Sequence, residues 1–395
     1  MRYNLSELCD IIGGGTPKTN IPQYWGGNIP WLSVKDFNND RKYVYEAEKA
    51  ITEEGLNNSA ATTLIKGDII ISARGTVGEM AVIPYPMSFN QSCYGLRAKK
   101  EIVDADYLYY LVKFKVKELK HNAHGSVFDT ITRDTFEGIE VDIPSKVNQQ
   151  KIASILAALD SKIETNETIN HNLYHLLMLS FQHEYWEKST VCGWPMTTLG
   201  EVTSKFGTGL NPRKNFVLGQ GSNYYVTIKN MGANRIFLDN RCDKIDDDAI
   251  EKIQKRSNLQ VGDLLFSGIG TIGRVYLIDK PISNWNTSES IFNLHPIQNI
   301  SSEFLYLLLL NDDMQKYAVS LASGSVQKGI RMADLKRYKF PLPPNDVMNQ
   351  LTNLWAPIIQ KIKTYEDEND HLASLRDTLL PKLMSGEIDV SQVEI

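Results

Sequence analysis

Leu64-Ile65-Lys66-Gly67-Asp68-Ile69-Ile70-Ile71-Ser72-Ala73-Arg74-Gly75-Thr76-Val77-Gly78 returns 195 residues later as Leu259-Gln260-Val261-Gly262-Asp263-Leu264-Leu265-Phe266-Ser267-Gly268-Ile269-Gly270-Thr271-Ile272-Gly273. Carried on to Pro86 and Pro281, the two 23-residue stretches share nine identical residues. Outside them the correspondence continues. Leu8-Cys9-Asp10-Ile11 answers Leu199-Gly200-Glu201-Val202, Tyr107-Leu108-Tyr109-Tyr110-Leu111 answers Phe304-Leu305-Tyr306-Leu307-Leu308, and Ile143-Pro144 answers Leu342-Pro343. The offset drifts only from 191 to 199, so the 395-residue chain reads as two similar domains on one polypeptide. Within each copy, short apolar runs bounded by Gly, Pro, Asn and Asp predict strands. The Leu108 and Leu305 segments predict helices, for a mixed α/β class.

After each globular copy the pattern changes period. Ile152, Leu156, Leu159, Ile163, Asn166, Asn170, Leu173 and Leu177 alternate spacings of four and three, a heptad seam on one long helix. Adding 199 gives Leu351, Trp355, Ile358, Ile362, Tyr365, Asn369, Leu372 and Arg376, followed by Leu379 and Leu383. The simplest partner for each seam is the other. The chain order requires them to run antiparallel, as an intramolecular coiled coil with pseudo-two-fold character. The expected layout is globular domain 1 at residues 1–143, spacer helix 1 at 144–188, domain 2 at 189–343, spacer helix 2 at 344–385 and a tail at 386–395. Asn170 and Asn369 occupy matching seam positions, where a buried amide costs stability but fixes register. Pro357 removes a backbone donor, so the second helix is expected to start late or bend there.

Composition limits the function. Hydrophobic residues at 42% and charged ones at 23% describe an ordinary globular chain, and the formal charge of −5 argues against coating nucleic acid by bulk attraction. Sequence-specific binding through a local basic surface stays open. No apolar run is long enough to span a bilayer, and the four cysteines lack metal spacing, so a cytoplasmic protein with reduced thiols is expected. Gly268-Ile269-Gly270-Thr271-Ile272-Gly273 has dinucleotide-fingerprint spacing, but Arg274-Val275-Tyr276-Leu277-Ile278 after it reads as a strand rather than the required helix. His121 and His124 lack an acidic cluster, and Pro343-Pro344-Asn345 lacks the aromatic of an amino-methyltransferase tetrad. No catalytic, cofactor-binding or metal-binding residue is therefore expected.

The repeated loops offer polar side chains suited to DNA. Arg74, the side chain best matched to a phosphate or a guanine edge, faces Ile269 across the repeat. The DNA-binding candidates are Lys18, Lys35, Ser72, Arg74, Thr76, Asn90, His124 and Ser126 in the first copy. In the second they are Arg213, Lys229, Ser267, Thr271, Asn286, Ser325, Gln327 and Lys328.

Gly14-Gly15-Thr16-Pro17-Lys18, Tyr24-Trp25-Gly26-Gly27-Asn28-Ile29-Pro30-Trp31, the duplicated glycine stretch, Gln149-Gln150 leading into Ile152, and Leu379-Leu380-Pro381-Lys382-Leu383-Met384-Ser385-Gly386-Glu387-Ile388 add a resemblance. In this order the chain resembles, over essentially its full length, the specificity subunit of a type I restriction-modification enzyme. The second copy lacks the Tyr-Trp-Gly-Gly motif. The resemblance implies two target recognition domains, each reading half of an interrupted duplex target. It also implies two modification subunits that methylate adenine at N6, and restriction subunits that translocate and cleave. S-adenosylmethionine, ATP and magnesium are then expected on those partners and not on this chain. The rival reading is a scaffold whose two repeated domains bind proteins and never read bases.

Overall fold

The computed structural model describes residues 1–39, 41–123, 130–232, 234–324 and 328–393. The chain divides into two compact units, residues 1–168 with 365–395 and residues 169–364. The first unit carries strands β1 (Arg2–Asn4), β2 (Cys9–Gly13), β3 (Trp25–Leu32), β4 (Lys49–Ile51), β5 (Thr63–Leu64), β6 (Ile69–Ser72), β7 (Met80–Val82), β8 (Met87–Phe89), β9 (Cys93–Ala98) and β10 (Glu140–Asp142). One sheet has the order β2-β9-β6-β7, wholly antiparallel, and a second has the order β4-β3-β8-β5. β3 and β8 run parallel in the second sheet, and β1 pairs with β10.

The second unit repeats this plan with β11 (Met196–Thr198), β12 (Thr203–Thr208), β13 (Asn223–Val226), β14 (Asp243–Ile245), β15 (Leu264–Ser267), β16 (Val275–Leu277), β17 (Trp285–Thr287), β18 (Ile291–Pro296) and β19 (Lys339–Pro341). Its sheets are β12-β18-β15-β16, β14-β13-β17 and β11-β19. β13 and β17 pair parallel, as β3 and β8 do.

The unbroken apolar runs have a packing reason. A strand turns alternate residues to opposite faces. In β6, Ile69 and Ile71 enter the core shared with the helix Ala105–Ala123, while Ile70 enters a second core with Leu32, Phe37 and Phe89. In β15, Leu264 and Phe266 join one core and Leu265 another. A strand covered on both faces has no need of polar alternation. The Leu108 and Leu305 segments are helical, as expected, at Ala105–Ala123 and Ser302–Leu310.

Both spacer helices form. The first runs Lys146–Phe181 and continues through a π-helical turn, Gln182–Glu187, into Lys188–Cys192. The second runs Asn345–Met384. It starts ahead of Pro357 and passes through it, so the expected late start is wrong: twelve residues before the proline already satisfy helical geometry. In the first unit the helices meet antiparallel through Asp160–Arg376 and Asn166–Asn369. In the second unit Asn170 and Ser180 meet Ile362 and Trp355 in the same sense.

Ile152, Leu156, Asn166, Asn170, Leu177, Leu351, Trp355, Ile362, Asn369, Arg376 and Leu383 of the predicted seam are buried. Leu159, Ile163, Leu173, Ile358, Tyr365, Leu372 and Leu379 are half-buried, and Ile359 and Leu380 lie deeper than their predicted neighbours. The C-terminal tail joins the first unit's core through Val390, and Lys151 Nζ donates to the Ser391 carbonyl at 2.8 Å. Among the described residues no helix is long and apolar enough to cross a membrane.

Candidate nucleic-acid interface

The repeated motif builds one loop twice. Gly67, Gly75 and Gly78 have φ of +90°, +77° and +84°, and Gly262, Gly270 and Gly273 have +90°, +77° and +95°. Side chains avoid that left-handed region, so the turns themselves require these glycines. The serines shared by the two copies close each loop from inside. Ser72 Oγ donates to the Thr76 carbonyl and accepts from the Glu79 N–H; Ser267 Oγ does the same with Thr271 and Arg274. The shared aspartates hold the approach to the strand, accepting from the N–H of Ile65 in one copy and Gln260 in the other.

Partners of those aspartates differ. Arg97 grips Asp68 with two nitrogens, Nε at 3.0 Å and Nη2 at 2.6 Å, and this bond raises the guanidinium pKa further above its usual value. Asp263 is met instead by His295 Nδ1 at 2.6 Å. Burial, opposed by the His295 and Gln260 bonds, lifts the Asp263 carboxyl above the ordinary range.

Backbone bonds then gather distant loops. In the first unit, the Ala73 and Arg74 N–H groups donate to the Ser92 carbonyl, Ile131 N–H to Ala73, Asn90 N–H to Leu32 and Gly15 N–H to Phe89. Arg74 and Thr76 stand exposed on this assembly, and Asn90 is half-buried with Oδ1 accepting from Ser92 N–H. Lys18 is exposed in the loop after β2, and Lys35 on the capped turn Val34–Phe37 that follows β3.

The second unit assembles likewise. Gly268 N–H donates to Ser290, Ile330 N–H to Gly268 and Gly270 N–H to Lys328. Thr271, Lys328 and Arg213 are exposed, and Lys229 sits on the turn Ile228–Asn230 after β13, matching Lys35. His124, Ser126, Ser325 and Gln327 lie outside the described residues.

Three candidates are not presented at the surface. Ser72 and Ser267 spend their hydroxyls inside the loop. Asn286 is 1% exposed, its Oδ1 accepting from Ser257 Oγ and its Nδ2 donating to Gln254. Their polarity serves the fold, because a buried polar group must be satisfied there.

Two further residues belong to the site. A Cβ added to Gly78 would collide with Lys120, and one added to Gly273 with Gln315, whose Nε2 donates to the Gly273 carbonyl at 3.0 Å. Each glycine loop therefore lies under a helix side chain, cationic in one copy and neutral in the other. The signal was the last glycine of each loop. Its partner on the helix had no readable spacing.

The arrangement can present hydrogen-bond donors and cations from several loops to one polyanion, with different chemistry in the two units. The family described as type I restriction modification DNA specificity domain matches residues 1–175 and again 192–362. The chain is 26% identical to the type I restriction enzyme MjaIX specificity subunit of Methanocaldococcus jannaschii, over 98% of this chain and 93% of that one. It is 23% identical to the HindI specificity subunit of Haemophilus influenzae, over 67% and 72%. The crystal structure of the type I restriction-modification system S subunit from M. genitalium superposes with a TM-score of 0.57 at 18% identity, covering 99% of this chain and 96% of that one.

Proposed function

Because the chain belongs to the type I restriction modification DNA specificity family, we propose that each of its two units reads one half of an interrupted duplex DNA target. The observation that carries this reading is the pair of loop assemblies. One scaffold, held by the same glycines, aspartate and serine, displays Arg74 and Lys120 in one unit and Ile269 and Gln315 in the other. Shared residues hold the loops, and unlike residues on them suit unlike half-sites. Arg74 and Lys120 supply donors for a guanine edge or phosphates, and Lys18, Lys35, Arg213, Lys229 and Lys328 supply phosphate contacts that set orientation.

The spacer helices separate the two readings and offer surfaces to modification subunits. Methyl transfer to adenine N6 belongs to those partners, with S-adenosylmethionine on them, and ATP and magnesium serve the restriction subunits. The chain itself acts without catalysis in the cytoplasm. Since a partner must turn an adenine out of the stack, reader and methyltransferase clasp different sides of the duplex.

Methylome sequencing of cells with and without the gene tests the proposal. A bipartite N6-methyladenine motif should vanish with the gene. Exchanging residues 1–143 for those of a homologue should alter one half-site and leave the other intact. Alteration of both half-sites, or an unchanged methylome, would sink the modular reading and favour a scaffold.

A further inference from the structure

The two copies also differ where recognition domain meets spacer, and there the difference is buried. In the first unit, Asp160 of the first spacer helix faces Arg376 of the second, with side chains 5% and 8% exposed and Nη1 donating to Oδ1 at 2.7 Å. The other carboxylate oxygen accepts from the Tyr110 hydroxyl at 2.5 Å. Tyr110 lies on the helix Ala105–Ala123, so three helices converge on one carboxylate. Arg376 Nε also donates to Asp377 at 2.9 Å. The same domain has two further links to the first spacer helix, Arg41–Glu167 and Tyr45–Glu164.

At the three equivalent positions the second copy carries no charge. The offset of 199 carries Asp160 to Ile359 and Arg376 to Leu177, both buried in the second unit's core, and the helix repeat carries Tyr110 to Leu307, also buried. A neutral hydroxyl pair, Tyr174 and Tyr306 at 3.0 Å, links helix to spacer there. An apolar solution is therefore available to this architecture, and burying an ion pair adds a desolvation cost that packing avoids. What the charged set adds is direction: its bonds hold only in alignment, whereas apolar contacts tolerate rotation.

We propose that Asp160, with Tyr110 and Arg376, is a positioning set that fixes the rotational setting of the first recognition domain's helix on the spacer pair, and thereby how strictly the complex measures the gap to the first half-site. This rests on the bipartite reading above.

The test uses the full chain with its modification subunits and four variants: Tyr110→Phe, the pair Asp160→Ile/Arg376→Leu, and each member of that pair alone. The single changes strand a buried charge and should lower the melting temperature. The pair removes both charges, as in the second unit, and should restore most of it, the Tyr110 hydroxyl alone being left without its acceptor. Hydrogen–deuterium exchange should rise in Ala105–Ala123 for Tyr110→Phe and for the pair, while Ser302–Leu310 stays unchanged. On duplexes whose gap is one base pair longer or shorter, wild type should discriminate, and the pair should reduce that discrimination by roughly tenfold.

If the folded pair keeps both wild-type exchange and wild-type discrimination, the positioning role is overturned. Tyr110→Phe, which retains the ring and the charges, decides the matter should the pair fail to fold. A wild-type complex without any bipartite preference would refute the functional reading instead, and the exchange result would still decide whether the set orients the helix.

Discussion

Gly67, Asp68 and Ser72 recur as Gly262, Asp263 and Ser267 because each turn needs a left-handed glycine, a carboxylate for an approaching N–H and a hydroxyl inside the loop. The difference lies one bond further out, where Arg97 serves Asp68 and His295 serves Asp263. Arg97 grips its aspartate through two nitrogens, whereas His295 meets Asp263 through one. Asp263 is held above the ordinary carboxylate range by burial, with the His295 bond opposing. A raised native pKa means that the folded state keeps this proton more tightly than the unfolded chain. The fold is therefore penalised as pH rises through that pKa and relieved below the unfolded value near about 4. His295→Ala removes the opposing bond. It should cost about 1–3 kcal/mol at pH 8, where Asp263 must ionise without its partner, and progressively less on acidification toward pH 4. Urea unfolding of wild type and variant at both pH values measures this, and a deficit equal at the two values would refute it.

At the scale of elements, the spacer helices were the most legible part of the sequence. A heptad stripe is local, and its duplication identified the partner without any structure. Reading failed where burial depends on the third dimension. Asp160 flanks Leu159 and resembles a solvated residue until Arg376, 216 positions away, is brought against it. Ser72, Ser267 and Asn286 were read as DNA contacts because they are polar and near turns, and the sequence could not display that the fold consumes them. The convergence of residues 73, 92 and 131 is backbone pairing between distant loops, which leaves no trace in side-chain periodicity.

Pro357 left a late start or a bend open in the sequence; the helix starts well ahead of it, and tertiary packing absorbs the local cost. Trp355, Ile359 and Ile362 around it are anchored in the second core, and the exposed ring remains inside a continuous helix. An interior proline costs about 3 kcal/mol relative to alanine. Pro357→Ala should therefore raise stability by about 1–3 kcal/mol, seen as a higher urea midpoint with unchanged slope. A lower midpoint would mean that the ring or a bend around it contributes to that core.

For the whole molecule, the informative fact is where the two compact units divide: between Thr168 and Ile169 on one spacer helix and between Thr364 and Tyr365 on the other. The anchoring contacts described above lie to one side of these divisions. Ile152, Leu156 and Asp160 are packed in the first unit, and Leu177 and Phe181 in the second. Seven residues inserted at both points preserve the heptad phase of each seam and leave both cores intact. They lengthen the helix pair by about 10 Å at the standard rise, close to three base pairs of duplex at about 3.4 Å each. Three base pairs also turn the duplex by roughly a third of its ten-base-pair repeat, so the native target no longer presents both half-sites to the two readers together. Methylation at the native gap should fall by at least about tenfold. Any surviving motif should keep both half-sites and gain about three base pairs between them. Methylome sequencing of a strain carrying the double insertion reads both quantities. Native-gap methylation at wild-type level, in a chain that melts as wild type does, would show that the spacer helices do not measure the target.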